Sequence, residues 1–307
     1  MTRVLAVANQ KGGVGKTTTS VNLASALAEM GKRVLAIDLD PQGHLTINMG
    51  VRRPDELDLT VYNLLIDAPV QVEDIILRSE EMGLDFLPTN IELSGAELQL
   101  APAMSRESIL HDKLAPVLHN YDFVVIDCPP SLGLLCINAL VAANEVIIPL
   151  QCQYLDMKGM QQLQRTIERV RERLNPSLTI AGILPTIFKP RTLHSQEVLD
   201  LVREHYGDQV FEVRIDSSIR FAECPLAGQS ILQYADRSPG AKAYRELAKA
   251  VVARNGKEQP RTDEPTMHVS GEPAPAIVQA NGENIVHIAT EPRHSRPEPT
   301  PTAVVKQ

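Results

Sequence analysis

Two lysines and three glycines share one short stretch near the amino terminus, Lys11-Gly12-Gly13-Val14-Gly15-Lys16-Thr17-Thr18. Glycines let successive backbone N–H groups converge on an anion without Cβ interference, and a helix starting directly behind them adds positive potential. Val21, Leu23, Ala24 and Leu27 follow in a helical pattern, and the apolar run Arg3 to Ala8 in front reads as a strand. Strand, glycine-rich loop and helix together are the setting of a phosphate-binding loop. There Lys16 reaches the β- and γ-phosphates of a nucleoside triphosphate, and the Thr17 hydroxyl ligates Mg²⁺.

Two carboxylate-bearing stretches complete a candidate reaction centre. Ile37-Asp38-Leu39-Asp40-Pro41-Gln42-Gly43 closes one apolar run, and Phe123-Val124-Val125-Ile126-Asp127 is followed by Cys128-Pro129-Pro130-Ser131. Alternation along a strand places Asp38 and Asp40 on one side at the carboxyl end, where ligands of open α/β sheets bind. Turn and capping carboxylates ahead of Pro41 are the competing reading. Four apolar residues ending in Asp127 form a Walker B pattern, whose carboxylate orients Mg²⁺ and its waters.

The strict pattern G-x-x-x-x-G-K-[ST] is broken, because Gln10 takes the first glycine position and Lys11 adds a second lysine. Lys-Gly-Gly-Val-Gly-Lys-Thr-Thr resembles the deviant Walker A motif of the ParA/MinD family. The Asp-x-Asp-Pro-Gln-Gly and Asp-Cys-Pro-Pro-Ser stretches resemble that family's two switches. The resemblance implies an ATP-sandwiched homodimer in which Lys11 reaches the partner's nucleotide, Asp40 positions or activates the attacking water, and Asp38 sits near Mg²⁺. It implies ATP as substrate, with Lys11, Lys16 and Asp40 in catalysis and Thr17, Asp38 and Asp127 around the metal, partly through water. ATP would be held by residues 11–18, while Asp216 and Ser218 stand where a Pro and an Asn often frame the adenine.

The elements that must position these residues are legible as alternation. Strand-like runs at Val4 to Ala8, Arg33 to Ile37, Leu84 to Leu87, Phe123 to Ile126, Val146 to Pro149 and Leu178 to Leu184 are separated by longer segments. Of those, Thr17 to Met30, Asp156 to Leu174 and Ser195 to His205 carry helix length and periodicity. Such an order predicts βαβ units: an α/β fold with a mostly parallel, twisted sheet flanked by helices, the P-loop NTPase architecture. With 43% hydrophobic residues, 4% aromatics and no Trp, the core must be built from Ala, Val, Leu and Ile, as in covered parallel sheets.

Composition changes after about Asn255. Eight of the 22 prolines lie beyond it, so residues 1–255 are expected to form the ATPase domain and 256–307 a Pro-rich disordered tail. Its apolar patch, Ile285-Val286-His287-Ile288, is too short to define an element. No signal peptide or membrane span is expected, which predicts a cytoplasmic protein. Cys128, Cys136, Cys152 and Cys224 form no C-x-x-C pair, so buried free thiols are expected and Cys128 is assigned no chemistry.

Three further stretches are similar to ParA/Soj partition ATPases: Leu87 to Glu97, Pro149 to Tyr154, and Ser218 to Ile231 continued by Gly240 to Leu247. The likeness covers residues 2 to 254, with no helix-turn-helix ahead of the loop, as in the short Soj-type form. It implies ATP-dependent, sequence-independent binding to double-stranded DNA on the nucleoid and a ParB-like activator. Net charge is −8, so DNA contacts must come from local patterning. Candidates are Arg191, Arg220 and the stripe Lys242, Arg245 and Lys249, with Arg165, Arg169 and Arg173 as a second stripe; solvated helix faces have the same spacing. Departures from relatives include Phe188-Lys189 for Tyr-Asp, and Gln153 for Glu. Rival readings are a MinD-like membrane ATPase, which needs a basic amphipathic C-terminal helix, an iron–sulfur carrier ATPase, which needs a C-x-x-C, a non-hydrolysing scaffold, and nucleoid-based positioning of a protein cargo.

Overall fold

The computed structural model describes residues 1–66, 69–152 and 156–254; Gln153, Tyr154 and the tail lie outside them. The first half runs β1 (Arg3–Val7), α1 (Lys16–Glu29), β2 (Val34–Asp38), α2 (His44–Asn48), α3 (Val61–Ile66), β3 (Leu77–Ser79), β4 (Leu84–Leu87), α4 (Ala96–Leu100) and α5 (Ile109–Leu114). The second half runs β5 (Phe123–Asp127), α6 (Leu134–Ala142), β6 (Glu145–Gln151), α7 (Asp156–Arg173), β7 (Thr179–Thr186), α8 (Leu193–Tyr206), α9 (Arg220–Ala227), α10 (Ile231–Tyr234) and α11 (Pro239–Ala253). All strands join one sheet in the order β3-β4-β2-β5-β1-β6-β7. Every pairing is parallel except the antiparallel β3–β4 edge.

The sheet is apolar on both faces because alternate residues of each central strand feed two different cores. Val4 and Ala6, Leu35 and Ile37, and Val124 and Ile126 pack on one side with α6, α7 and α8. Leu5 and Val7, Val34 and Ala36, and Phe123 and Val125 pack on the other with α1 and α11. Burying each such Leu, Ile or Val contributes about 1.5–3 kcal/mol, so the two covering helix layers hold the central strands in place. On α11, Tyr244, Leu247, Ala248 and Val251 form the buried face. α1, α7 and α8 match the expected helices to within a few residues at each end, the usual uncertainty of helix termini.

One strand escaped the pattern. β3 is three residues long, too short to show a period, and lies at the edge with Arg78 paired to Asp85 at 2.7 Å. The ion pair puts charge where an open edge would otherwise invite pairing.

Candidate nucleotide-binding site

β2, β5 and β1 are adjacent, and their carboxyl ends meet in register: Asp38 opposite Asp127, and Asp127 opposite Val7. The loop leaving β1 is anchored by buried Asn9. Its amide donates to Pro149 O at 2.7 Å, and its Oδ1 accepts the Lys11 N–H at 3.0 Å. Gly13 (φ 73°) and Gly15 (φ 88°) are left-handed, a conformation that strains any residue with a Cβ. Gly15 is also the N-cap of α1 and offers no side-chain cap, so the first-turn amides are available to an anion. From the far side Thr186 at the end of β7 clamps the loop, its hydroxyl donating to Val14 O at 2.7 Å.

Lys16 is buried, and its Nζ donates to Lys11 O at 3.1 Å. Burial pulls its pKa down, opposed chiefly by the charge of Asp127. Lys11 points elsewhere, with Nζ 3.5 Å from Gln151 Oε1 at the end of β6. It therefore has a contact within its own subunit. Thr17 Oγ1 donates to Asp127 Oδ2 at 2.7 Å, and Ser20 Oγ lies 2.9 Å from Asp127 Oδ1. Burial raises the pKa of Asp127, and these two hydroxyls pull it back.

The other carboxylates divide differently from the expected same-side pair. β2 stops at Asp38, so strand alternation does not extend to Asp40. Asp38 is fully buried and turned to α2: Oδ2 accepts Thr46 N–H at 2.8 Å and Thr46 Oγ1 at 2.7 Å, and Oδ1 accepts Asp40 N–H at 3.2 Å. Desolvation and the nearby Asp127 raise its pKa. Asp40 sits in the following turn, where its Oδ1 accepts Gln42 N–H at 3.1 Å, and it lines the cavity.

That cavity, about 550 Å³, runs from the glycine loop, Lys16, Asp40 and Pro130 to Ile187, Asp216, Ser218 and Phe221. Ile187 adopts φ 50°, costly for a β-branched residue, and is held there by Phe188 N–H to Ile215 O at 3.0 Å. Arg214 stacks over Phe188 at 4.2 Å and approaches Asp216 Oδ1 to 3.3 Å. Oδ1 is buried and receives no hydrogen bond, so the contact is ionic only. Among the described residues no three His, Cys, Asp or Glu side chains form a metal cage. Mg²⁺ needs none, since one or two protein oxygens plus phosphates and waters suffice for it, and Thr17 and Asp127, paired at 2.7 Å beside the loop, have oxygens of the kind it takes.

The basic residues are scattered over the surface. Arg191 and Arg220 are exposed, and Arg220 lines an open groove with Pro190 beside Asp216 and Ser218. Lys242 and Lys249 are exposed on α11. Arg245 departs from the stripe: it bridges Glu29 at 2.8 Å and Asp236 at 2.5 Å, so its charge is locally neutralised. Arg165, Arg169 and Arg173 are exposed on α7, interleaved with Glu168 and Glu172. The four cysteines are buried, and none forms a disulfide among the described residues.

Asn9, Ser20, Thr46 and Thr186 were not singled out from sequence. Ser20 carried a usable signal, lying one helical turn beyond Thr17 on the same face. Thr186 carried none, because its partner Val14 is far away in the chain, and Thr46, eight residues from Asp38, carried none because a turn separates them with no repeating period.

A glycine loop under a buried lysine, with strand-end carboxylates beside it, defines the class as a P-loop nucleotide-binding protein. The family model described as AAA domain matches residues 2–180. The sporulation initiation inhibitor protein Soj of Bacillus subtilis (strain 168) is 46% identical over 253 residues, covering 82% of this chain and 99% of Soj. Chromosome partitioning protein ParA of Caulobacter vibrioides is 44% identical over 260 residues, 84% of this chain and 96% of that protein. A Mycobacterium smegmatis structure named cobyrinic acid a,c-diamide synthase, with bound ATP analogue and magnesium, superposes with TM-score 0.74 at 42% identity, covering 85% of this chain and 99% of that one. The chain belongs to the ParA/Soj family of P-loop ATPases. No helix among the described residues is long and apolar enough to cross a membrane.

Proposed function

We propose that this protein is a Mg²⁺-dependent ATP hydrolase of the partitioning type. ATP binding closes a homodimer that holds double-stranded DNA without sequence preference, and hydrolysis, stimulated by a ParB-like partner, releases it. The observation that carries the reading is the corner where Lys16, Thr17, Ser20 and Asp127 meet beneath an uncapped helix, with Asp40 on the cavity wall. The likeness to Soj over nearly its whole length supports the partitioning branch.

On this reading the amides of residues 12–18 and Lys16 bind the β- and γ-phosphates, and Lys16 exchanges the Lys11 carbonyl for them. Thr17 and Asp127 would hold the Mg²⁺, and Asp38, turned to Thr46, sets the turn beside them. Magnesium supplies charge neutralisation across the phosphates. Asp40 orients the attacking water in line. Lys11 leaves Gln151 and adds its charge to the partner's nucleotide, while Asp216 and Ser218 meet the base. Arg191, Arg220, Lys242 and Lys249 supply the phosphate contacts to DNA, and two subunits together raise weak single contacts by avidity. Arg245 is left out, because Glu29 and Asp236 hold it. Nucleoid association follows from DNA binding.

The test is ATP turnover and duplex retention at moderate salt with ATP, ADP and no nucleotide. Slow turnover with retention only in ATP is expected. Equal retention in all three conditions overturns the switch, and ATP-dependent binding to anionic liposomes in place of DNA moves the protein to the membrane-positioning class.

A further inference from the structure

A carboxylate outside the cavity holds the far end of the loop that follows Asp127. That loop, Cys128 to Gly133, runs into α6, whose N-cap is Gly133 and has no side-chain cap of its own. The missing acceptor comes from α4: Glu97 Oε1 receives the Leu135 N–H at 3.1 Å. Gly133 is extended, φ −78° and ψ −167°, so backbone freedom does not require glycine there. A Cβ at 133 would lie 2.3 Å from Glu97 Oε1, the far end of a flexible side chain, so the carboxylate would have to move aside.

The segment leading into α4 touches the other strand-end turn. Thr89 N–H donates to Thr46 Oγ1 at 2.9 Å, and Thr46 in turn donates to Asp38. Gly43, in the turn after Asp40, is so close that a Cβ on it would meet Thr89 O at 3.4 Å. Residues 89–97 thus contact the Asp38–Gly43 turn at one end and the Pro130-bearing loop at the other. Asp40 and Pro130 line the same cavity.

We propose that Glu97 is a positioning residue for ATP hydrolysis: it fixes the exit of the 128–133 loop and, through residues 89–97, couples that loop to the Asp38–Gly43 turn. This rests on the ATPase reading above. Glu97 is half-buried, so water can replace the lost acceptor in a variant and the fold persists.

The experiment uses the full chain as wild type, Glu97→Ala, Glu97→Gln, Gly133→Ala and the Glu97→Ala/Gly133→Ala pair. It measures kcat and KM for ATP, fluorescent-nucleotide Kd, and amide exchange of residues 128–135 with and without ATP. We expect Glu97→Ala to lower kcat about tenfold while Kd moves less than about threefold, a loss made after binding. Glu97→Gln keeps an acceptor and recovers most of the rate. Gly133→Ala displaces the carboxylate and matches Glu97→Ala, and the pair is no worse than either alone, as expected for groups acting through one contact. Unchanged kcat in Glu97→Ala, no recovery in Glu97→Gln, or additive losses in the pair would each overturn the proposal. Should wild type hydrolyse no ATP, the ATPase reading fails by itself and exchange decides. Protection of 128–135 induced by nucleotide must then be lost in Glu97→Ala and kept in Glu97→Gln, and equal protection in all three rejects Glu97.

Discussion

Asp38 and Asp127 end neighbouring strands, face each other in register and are fully buried, yet they answer to different donors. Asp127 receives hydroxyls from Thr17 and Ser20, on the helix that carries the phosphate loop. Asp38 receives Thr46 and the amide of Asp40, in the turn behind its own strand. Burying either carboxylate without donors would be costly, and the donors that offset the cost also set its task. One carboxylate is tied to the helix behind the glycine loop and the other to the turn that carries Asp40. Equivalent strand ends acquire separate roles from whichever helix start packs over them.

The comparison can be broken from the ligand side first. Lys16→Ala removes the charge both corners surround, and ATP turnover should fall by about 100-fold or more, with ATP-dependent DNA retention lost in a filter or sedimentation assay. Asp40→Ala should lose turnover to about the same degree while retention in ATP persists. Loss of retention would mean that the Asp38 turn serves binding as well as hydrolysis.

The two hydroxyl partners sharpen the contrast. Thr17→Ala should cost about tenfold in turnover and raise the Mg²⁺ concentration needed, at a stability loss of about 1–2 kcal/mol in urea unfolding, because Thr17 is half-buried and water can take the place of its hydroxyl. Thr46→Val removes a donor to Asp38 and the acceptor of the Thr89 N–H together, and should cost about 2–3 kcal/mol of stability by the same measurement. Equal stability losses in the two variants would show the corners to be alike. The smallest effect is expected on the surface. Arg245→Ala should cost about 1 kcal/mol or less and leave DNA retention intact, whereas Lys242→Ala weakens retention and reduces its salt slope by about 1.

Much of this was legible from residue order. The glycine loop, Lys16 and Thr17 lie within one octet, so strand, turn and helix start are dictated locally and their chemistry can be read directly. The central strands announce themselves as apolar runs because both faces of the sheet are covered. β3 did not, being three residues long, and the strand alternation invoked for Asp40 failed because β2 ends at Asp38.

The basic stripe on α11 marks the limit. Helical spacing put Lys242, Arg245 and Lys249 on one face, but Glu29 of α1 and Asp236 of the preceding turn claim Arg245, and nothing near it in sequence announces Glu29. The sequence alone determined the class of chemistry, because anion-binding backbone and its lysine are encoded within a single turn of chain. Tertiary structure decided which donors each carboxylate meets, that Glu97 caps α6 close against Gly133, and which cations remain open to solvent. Most of those contacts, Thr17 with Asp127, Glu97 with Leu135 and Arg245 with Glu29, join groups far apart in the chain, and the short-range ones, Asp38 with Thr46 and Arg245 with Asp236, cross turns that break any helical or strand period.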